Sequence, residues 1–213
     1  GSCDVDGATP GSQCTLGAAI QESNSLAGSD DIYFNIPTSD MGYRDYDSPT
    51  TPSSGDSLGD DDYWTINPAT VLPAITGVTV IDGSTQTSNQ GDTNATGPEI
   101  ELSGYTLNFT GVGLNFQSGA GGSSVNAIGI NKFLTQIQLN SLNGFTLTRS
   151  YLGTTINGLA SASPTGTRQH AGVEANASTN VDLGTNRSTG NVFGGMGTSY
   201  PDAGIVLYCN VAP

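Results

Sequence analysis

Basic residues are scarce in this chain. Lysine and arginine together number five against nineteen aspartates and glutamates, leaving a formal charge of −14 at neutral pH. The one lysine is Lys132; the arginines are Arg44, Arg149, Arg168 and Arg187. A surface of that sign repels phosphate backbones and anionic lipid headgroups, so nucleic acid is excluded as a partner. Long apolar runs are missing as well. No stretch approaches the roughly 20 residues of a membrane span, and no membrane insertion is expected. Cysteine occurs three times, without CxxC spacing and with the single histidine, His170, distant in sequence, so a zinc-type centre is not expected. Cys3 and Cys14 flank a Gly/Pro turn and could close a small disulfide loop, which leaves Cys209 as a buried thiol or an intermolecular partner.

What is plentiful is glycine, at 30 residues, together with serine, threonine and asparagine. These disfavour helix interiors and suit short strands separated by turns. Charged residues are only 11% of the chain, and small clusters of Val, Ile, Leu and Phe recur. A folded, mostly β protein is expected rather than a disordered one.

Helical signal appears once, from Thr15 to Leu26, with Thr15 as N-cap and Gly28 as stop. "SDDIYFNIP" then reads as strand and turn. Residues 38–62 carry Pro, Ser, Asp and Gly without periodicity, a loop excursion from the core. Strand character resumes at Tyr63 and again around Val78, ending at Asp82-Gly83. In the second half, similar phrases return: "GLNF" from Gly113, "QIQL" from Gln136, "GVEA" from Gly172 and "GIVL" from Gly204. The shortest step is the length of one turn of a coil of short strands, and the longer ones carry extra loops. Such returns mark a solenoid, with a β-sandwich as the competing fold. Leu114, Phe116, Ile137, Leu139, Val173, Ile205 and Leu207 are expected to face inward. Asn131, Asn140 and Asn191 are expected at turns, in left-handed geometry and in hydrogen-bonded ladders.

The opening segment, with Cys14, Leu16, Ala19, Ile20, Asn24, Gly28, Asp31, Ile32 and Phe34, resembles the start of the CSLREA domain of secreted bacterial and archaeal surface proteins. "LPAITGVTVIDGSTQ", "RSYLGTT" and "GNVFGG" are similar to later stretches of that family. Gly17-Ala18 stands where the family has Arg-Glu. The resemblance implies a right-handed parallel β-helix, one domain over residues 1–213. Residues 1–37 would then form a cap with helix and first strand, and residues 63–213 the coils. It also implies an extracellular or cell-surface location and Cys3 as the disulfide partner of Cys14.

Candidate chemistry is thin. Lys132 and Arg149 could share a face as lyase-like bases, although surface charge is the plainer role. Glu99 and Glu101 alternate on one strand and point the same way, the minimum for a glycosidase pair; a solvated strand face is the preferred reading. His170 has no acid or nucleophile beside it in sequence. Asp56, Asp60, Asp61 and Asp62 form the densest acidic cluster and could hold Ca²⁺, against the simpler reading of a solubilising loop. Sequons occur at Asn94, Asn108, Asn176 and Asn186. The function expected is a non-enzymatic structural β-helix: an envelope component, adhesin or filament subunit that self-associates or meets other surface proteins and glycans. The alternative is a carbohydrate-active enzyme or glycan-binding module, with Tyr33, Trp64, Tyr105 and Tyr151 as candidate contacts.

Overall fold

Thr15 opens the first helix as the sequence predicts: its hydroxyl accepts a hydrogen bond from the Ala18 amide at 3.1 Å, satisfying one of the amides that a helix start leaves free. The computed structural model describes residues 14–45, 62–162, 169–184, 189–196 and 203–208. Helix α1 (Leu16–Ser25) is followed by β1 (Ser29–Tyr33), β2 (Tyr43–Arg44), β3 (Tyr63–Ile66) and β4 (Val78–Asp82). After β4 come α2 (Ser84–Gln90), β5 (Ile100–Ser103), β6 (Val112–Phe116), β7 (Ser123–Asn126) and β8 (Ile128–Asn131). The chain continues with β9 (Thr135–Asn140), β10 (Asn143–Thr148), β11 (Tyr151–Leu152) and β12 (Ala171–Asn176). It closes with β13 (Thr179–Asp182), β14 (Val192–Phe193) and β15 (Ala203–Tyr208).

These strands form three sheets. The first runs β1-β4-β7-β10-β13, the second β14-β11-β8-β5-β3-β2 and the third β15-β12-β9-β6. All named pairings are parallel except β2 with β3. From β4 onward the chain visits first, second and third sheet in that order, again and again. Before that, Ile75 makes a single parallel bridge to Phe116 beside the third sheet.

Register places like on like. In the first sheet Ile32, Ile81, Val125 and Leu147 are successive partners. In the second, Leu102, Ile130 and Leu152 are. In the third, Leu114, Ile137 and Val173 form one column and Phe116, Leu139 and Ala175 another. All are buried and belong to one apolar core. Phe116 and Phe145 meet edge-on at 5.0 Å and join two sheets. Each such side chain contributes about 1.5–3 kcal/mol relative to exposure.

Ile205 and Leu207 continue the two third-sheet columns in register, but they are 42% and 65% exposed. The expectation that they face a closed interior is corrected. Among the described residues β15 is an edge strand of its sheet, and an edge strand has a strand neighbour on one side only.

The turn chemistry also differs from expectation. Asn131 and Asn140 end their strands, and it is the following residue that turns left-handed: Lys132 at φ 60° and Ser141 at φ 54°. Ala127, Arg149 and Ala177 do the same after β7, β10 and β12. The expected ladder does form around Asn140, whereas Asn131 donates to Glu101 and to the Thr154 carbonyl. Asn140 donates to Asn115 Oδ1 at 2.9 Å, and Asn176 donates to Asn140 Oδ1 at 3.1 Å. Asn191 precedes β14 and bridges, accepting from the Ser150 amide and donating to the Leu147 and Leu183 carbonyls.

Helix α1 buries Leu16, Ile20 and Ser23. Ser23 Oγ lies 2.6 Å from Thr79 Oγ1. Asn24 donates to the Ala74 carbonyl and accepts from the Thr76 amide, both at 2.7 Å. A second helix, α2, is absent from the sequence expectation because its residues, STQTSNQ, carry no apolar stripe. It is held by polar contacts: buried Gln86 both accepts from the Ile36 amide and donates to the Ile36 carbonyl. Gly83 before it is obligatory, since a Cβ there would lie 2.0 Å from the Ala127 carbonyl oxygen.

Candidate functional site

The chain leaves the second sheet through a corner that pairs a buried carboxylate with a half-buried lysine. Glu101 lies on β5, whose four residues are all buried. Its Oε2 accepts from Thr65 Oγ1 at 2.9 Å. Its Oε1 accepts from Asn131 Nδ2 at 2.8 Å and from Lys132 Nζ at 3.2 Å. Glu101 is 5% exposed at the side chain and Lys132 24%, so the only lysine of the chain is spent on a carboxylate in the interior. The corner is stitched further. Asn131 Nδ2 also donates to the Thr154 carbonyl, and Gln169 accepts from the Lys132 amide while donating to the Gly153 and Gly195 carbonyls. Asn131 Oδ1 and Thr154 Oγ1 are buried there without a hydrogen bond.

A cleft of about 110 Å³ opens beside this pair, lined by Tyr63, Glu101, Lys132, Thr155, Ile156, Asn157 and Ala162. It offers a carboxylate, an ammonium and an aromatic wall. Both carboxylate oxygens already have donors, so Glu101 sits as a structural anion first. A second, wider groove of about 310 Å³ lies at the other end of the sheet, where Arg149, Tyr151, Thr96 and Pro98 line it. Lys132 follows β8 and Arg149 precedes β11. The two bases therefore occupy opposite ends of the strands and share no face, correcting that expectation.

Glu99 serves a different network. It accepts from the Thr93 amide at 2.9 Å, the Asn94 amide at 3.0 Å and the Thr93 hydroxyl. Burial pushes its pKa up, against the opposing pull of those hydrogen bonds. Glu99 and Glu101 are 3% and 4% exposed, so the solvated strand face expected for them is overturned. Strand β5 lies between β3 and β8, and the carboxylates find their donors in those neighbours, in Lys132 just after β8, or in residues 93–94.

Among the four acidic candidates for Ca²⁺, Asp56, Asp60 and Asp61 lie outside the described residues. Asp62 is buried and accepts from the Tyr43 hydroxyl. Burial, then that hydrogen bond, raises the Tyr43 pKa well above the usual phenol range. Among the described residues no three His, Cys, Asp or Glu gather as a metal site. Cys14 directly precedes the helix cap, whereas Cys3 and Cys209 lie outside the described residues.

His170 is not isolated. Its Nδ1 lies 3.6 Å from Glu174 Oε2, and Gln138 and Asn176 donate to Glu174 Oε1 at 3.2 and 3.1 Å. The acid sits four residues along the chain, the same side of an extended segment. The Glu101–Lys132 pair was legible only by aligning "IELSG" with "IGINK", the two phrases that β5 and β8 place side by side.

The aromatic candidates do not line one face. Trp64 is fully buried and its Nε1 donates to the Pro37 carbonyl. Tyr33 on β1 and Tyr105, before β6, are 60% and 63% exposed, and the Tyr151 hydroxyl donates to the Thr96 carbonyl. Of the sequons, Asn94 is buried with its amide donated to the Pro98 carbonyl, Asn176 is in the ladder, Asn108 is exposed and Asn186 is outside the described residues. No helix among the described residues is long and apolar enough to cross a membrane. The chain matches no protein-family profile, no curated protein and no solved structure.

Proposed function

We propose that this chain is a non-enzymatic structural protein of the cell exterior, built as a right-handed parallel β-helix whose front end is covered by α1. The observation that carries this reading is the repeated visit to three parallel sheets with apolar partners in register. Repetition of that kind makes a stiff column and a long lateral surface rather than a pocket. Supporting it, the charged groups that could do chemistry are engaged in holding corners: Glu101 with Lys132, Thr65 and Asn131, and Glu99 with the 93–94 amides. The acidic exterior favours solubility and separation from anionic polymers. A Cys3–Cys14 disulfide would fasten the segment ahead of the helix, in keeping with an oxidising exterior.

The experiment has two arms. An experimentally solved structure should show the three sheets as faces of one coil, and antiparallel layers would overturn the fold reading. Incubation with neutral and acidic polysaccharides, with and without Ca²⁺, should give neither turnover nor binding. Turnover of any of them would replace the structural role with an enzymatic one.

A further inference from the structure

One turn between β5 and β6 presents an apolar patch with an exposed carboxamide in its middle. A single 3₁₀ turn, Tyr105–Leu107, is closed by Asn108 in the left-handed region at φ 54° and ψ 39°, a geometry that asparagine tolerates better than most residues. Tyr105 is 63% exposed and meets Phe109 edge-on at 6.0 Å. Val71, 62% exposed, stands beside Gly111, and Leu134, 41% exposed, donates its amide to the Gly111 carbonyl. Described chain flanks the turn on both sides: Thr106 Oγ1 donates to the Pro68 carbonyl at 2.6 Å, and the Gly104 amide to the Asn131 carbonyl at 2.9 Å. The patch is therefore left open by the fold itself. Asn108 is exposed, its side chain makes no hydrogen bond among the described residues, and Thr110 follows two places on. We infer that Asn108 carries an N-linked glycan whose first sugar packs its apolar face on Tyr105 and Phe109.

The structure separates this sequon from the others it describes. Asn94 is 2% exposed and gives its amide to the Pro98 carbonyl. The Asn176 amide serves both Asn140 and Glu174. A sugar on either nitrogen would break contacts the fold uses, whereas at Asn108 it displaces nothing. Thr110 supplies the hydroxyl that the acceptor motif requires; it is exposed with the asparagine and donates to the Leu107 carbonyl at 2.7 Å. The donor is a lipid-diphosphate oligosaccharide. Its sugar C1–oxygen bond breaks, a bond forms from C1 to Asn108 Nδ2, one amide proton is released and the lipid diphosphate leaves. That transfer takes place outside the cytoplasm, so the inference rests on the exterior location proposed above. Once attached, the sugar covers aromatic surface that otherwise stays in water, and the patch has an occupant tethered beside it.

The test is secretion of the chain, behind an added leader, from a cell whose secretory route carries the oligosaccharide transferase. Intact mass should exceed the 21.7 kDa of the bare chain, and peptide mapping should place a glycan at Asn108. Peptide N-glycosidase should remove it and convert the carrier asparagine to aspartate. Asn108→Gln and Thr110→Ala should each lower the intact mass by one glycan, while Thr110→Ser keeps it. Enzymatic removal of the sugar should lower the melting temperature by about 2 °C in the parent chain. In a Tyr105→Ser, Phe109→Ser chain, shown to be folded by circular dichroism, removal should leave melting unchanged. A secreted chain bare at Asn108, or one carrying its sugar at Asn94 or Asn176 instead, would overturn the site. An equal drop in melting with and without the two rings would overturn the packing. Because the added leader imposes the route, neither failure touches the location reading, which fails separately if the native chain is recovered from the cell interior.

Discussion

The middle of the third sheet and the corner beyond the second sheet are both fully buried, yet they are made of opposite materials. Along the sheet the interior is Leu114 on Ile137 on Val173, and Phe116 on Leu139 on Ala175. At the corner it is Glu101, Asn131, Thr154 and Gln169. The apolar column gains from every strand added and needs no precise geometry beyond register. The polar corner gains little net energy from each hydrogen bond but loses much if one partner is removed. The first sets stability; the second sets the path the chain takes between sheets.

Changes on each side should separate the two. Phe116→Ala, at the heart of the column and against Phe145, should cost about 3–5 kcal/mol in chemical denaturation. A loss under 1 kcal/mol would mean that the column is not the source of stability. Lys132→Met leaves Glu101 with its Thr65 and Asn131 donors but no cation. It should cost about 1–3 kcal/mol, and the companion change Glu101→Gln in the same chain should recover part of it. Failure to recover would show that the lysine acts through its stem and not its charge. Thr15→Ala removes the cap of α1 and should cost about 1 kcal/mol, seen as faster hydrogen exchange in the helix before any change in the sheets.

The smallest effect concerns pH. The Glu99 pKa is raised in the folded chain, so the folded state holds the proton more tightly than the unfolded one. Its contribution to stability therefore falls as pH rises from the ordinary glutamate value toward the raised one, and stays at its lower level above. Glu99→Gln keeps an acceptor for the two amides and should flatten that part of the melting-temperature profile relative to the parent protein. An unchanged slope would assign it to other carboxylates.

Much of the column was readable beforehand because alternation and returning phrases report directly on buried faces. Leu114, Phe116, Ile137, Leu139 and Val173 all lie inside, and α1 starts at its predicted cap, Thr15, but ends at Ser25 with Leu26 rather than Gly28 as its C-cap. Ile205 and Leu207 share the same pattern, but a periodicity cannot tell an inner strand from an edge strand. The corner was opaque for another reason. Glu101 and Lys132 are far apart in sequence, and only the pairing of β5 with β8 brings them together. Helix α2 was invisible because its anchor, Gln86, is a polar side chain whose partner is the backbone of Ile36. His170 and Glu174 escaped notice although they are near neighbours, since the strand that aligns them begins between them.

The links at the second-to-third-sheet corner differ greatly in extent: residues 132–134 join β8 to β9, whereas residues 153–170 join β11 to β12. Both deliver the next strand in the same register on its predecessor. Register is thus dictated by the strands and not by the length of the connection between them. Novel peptide could be spliced into that longer connection, lengthening or reshaping one flank of the molecule, while the core beneath kept its spacing.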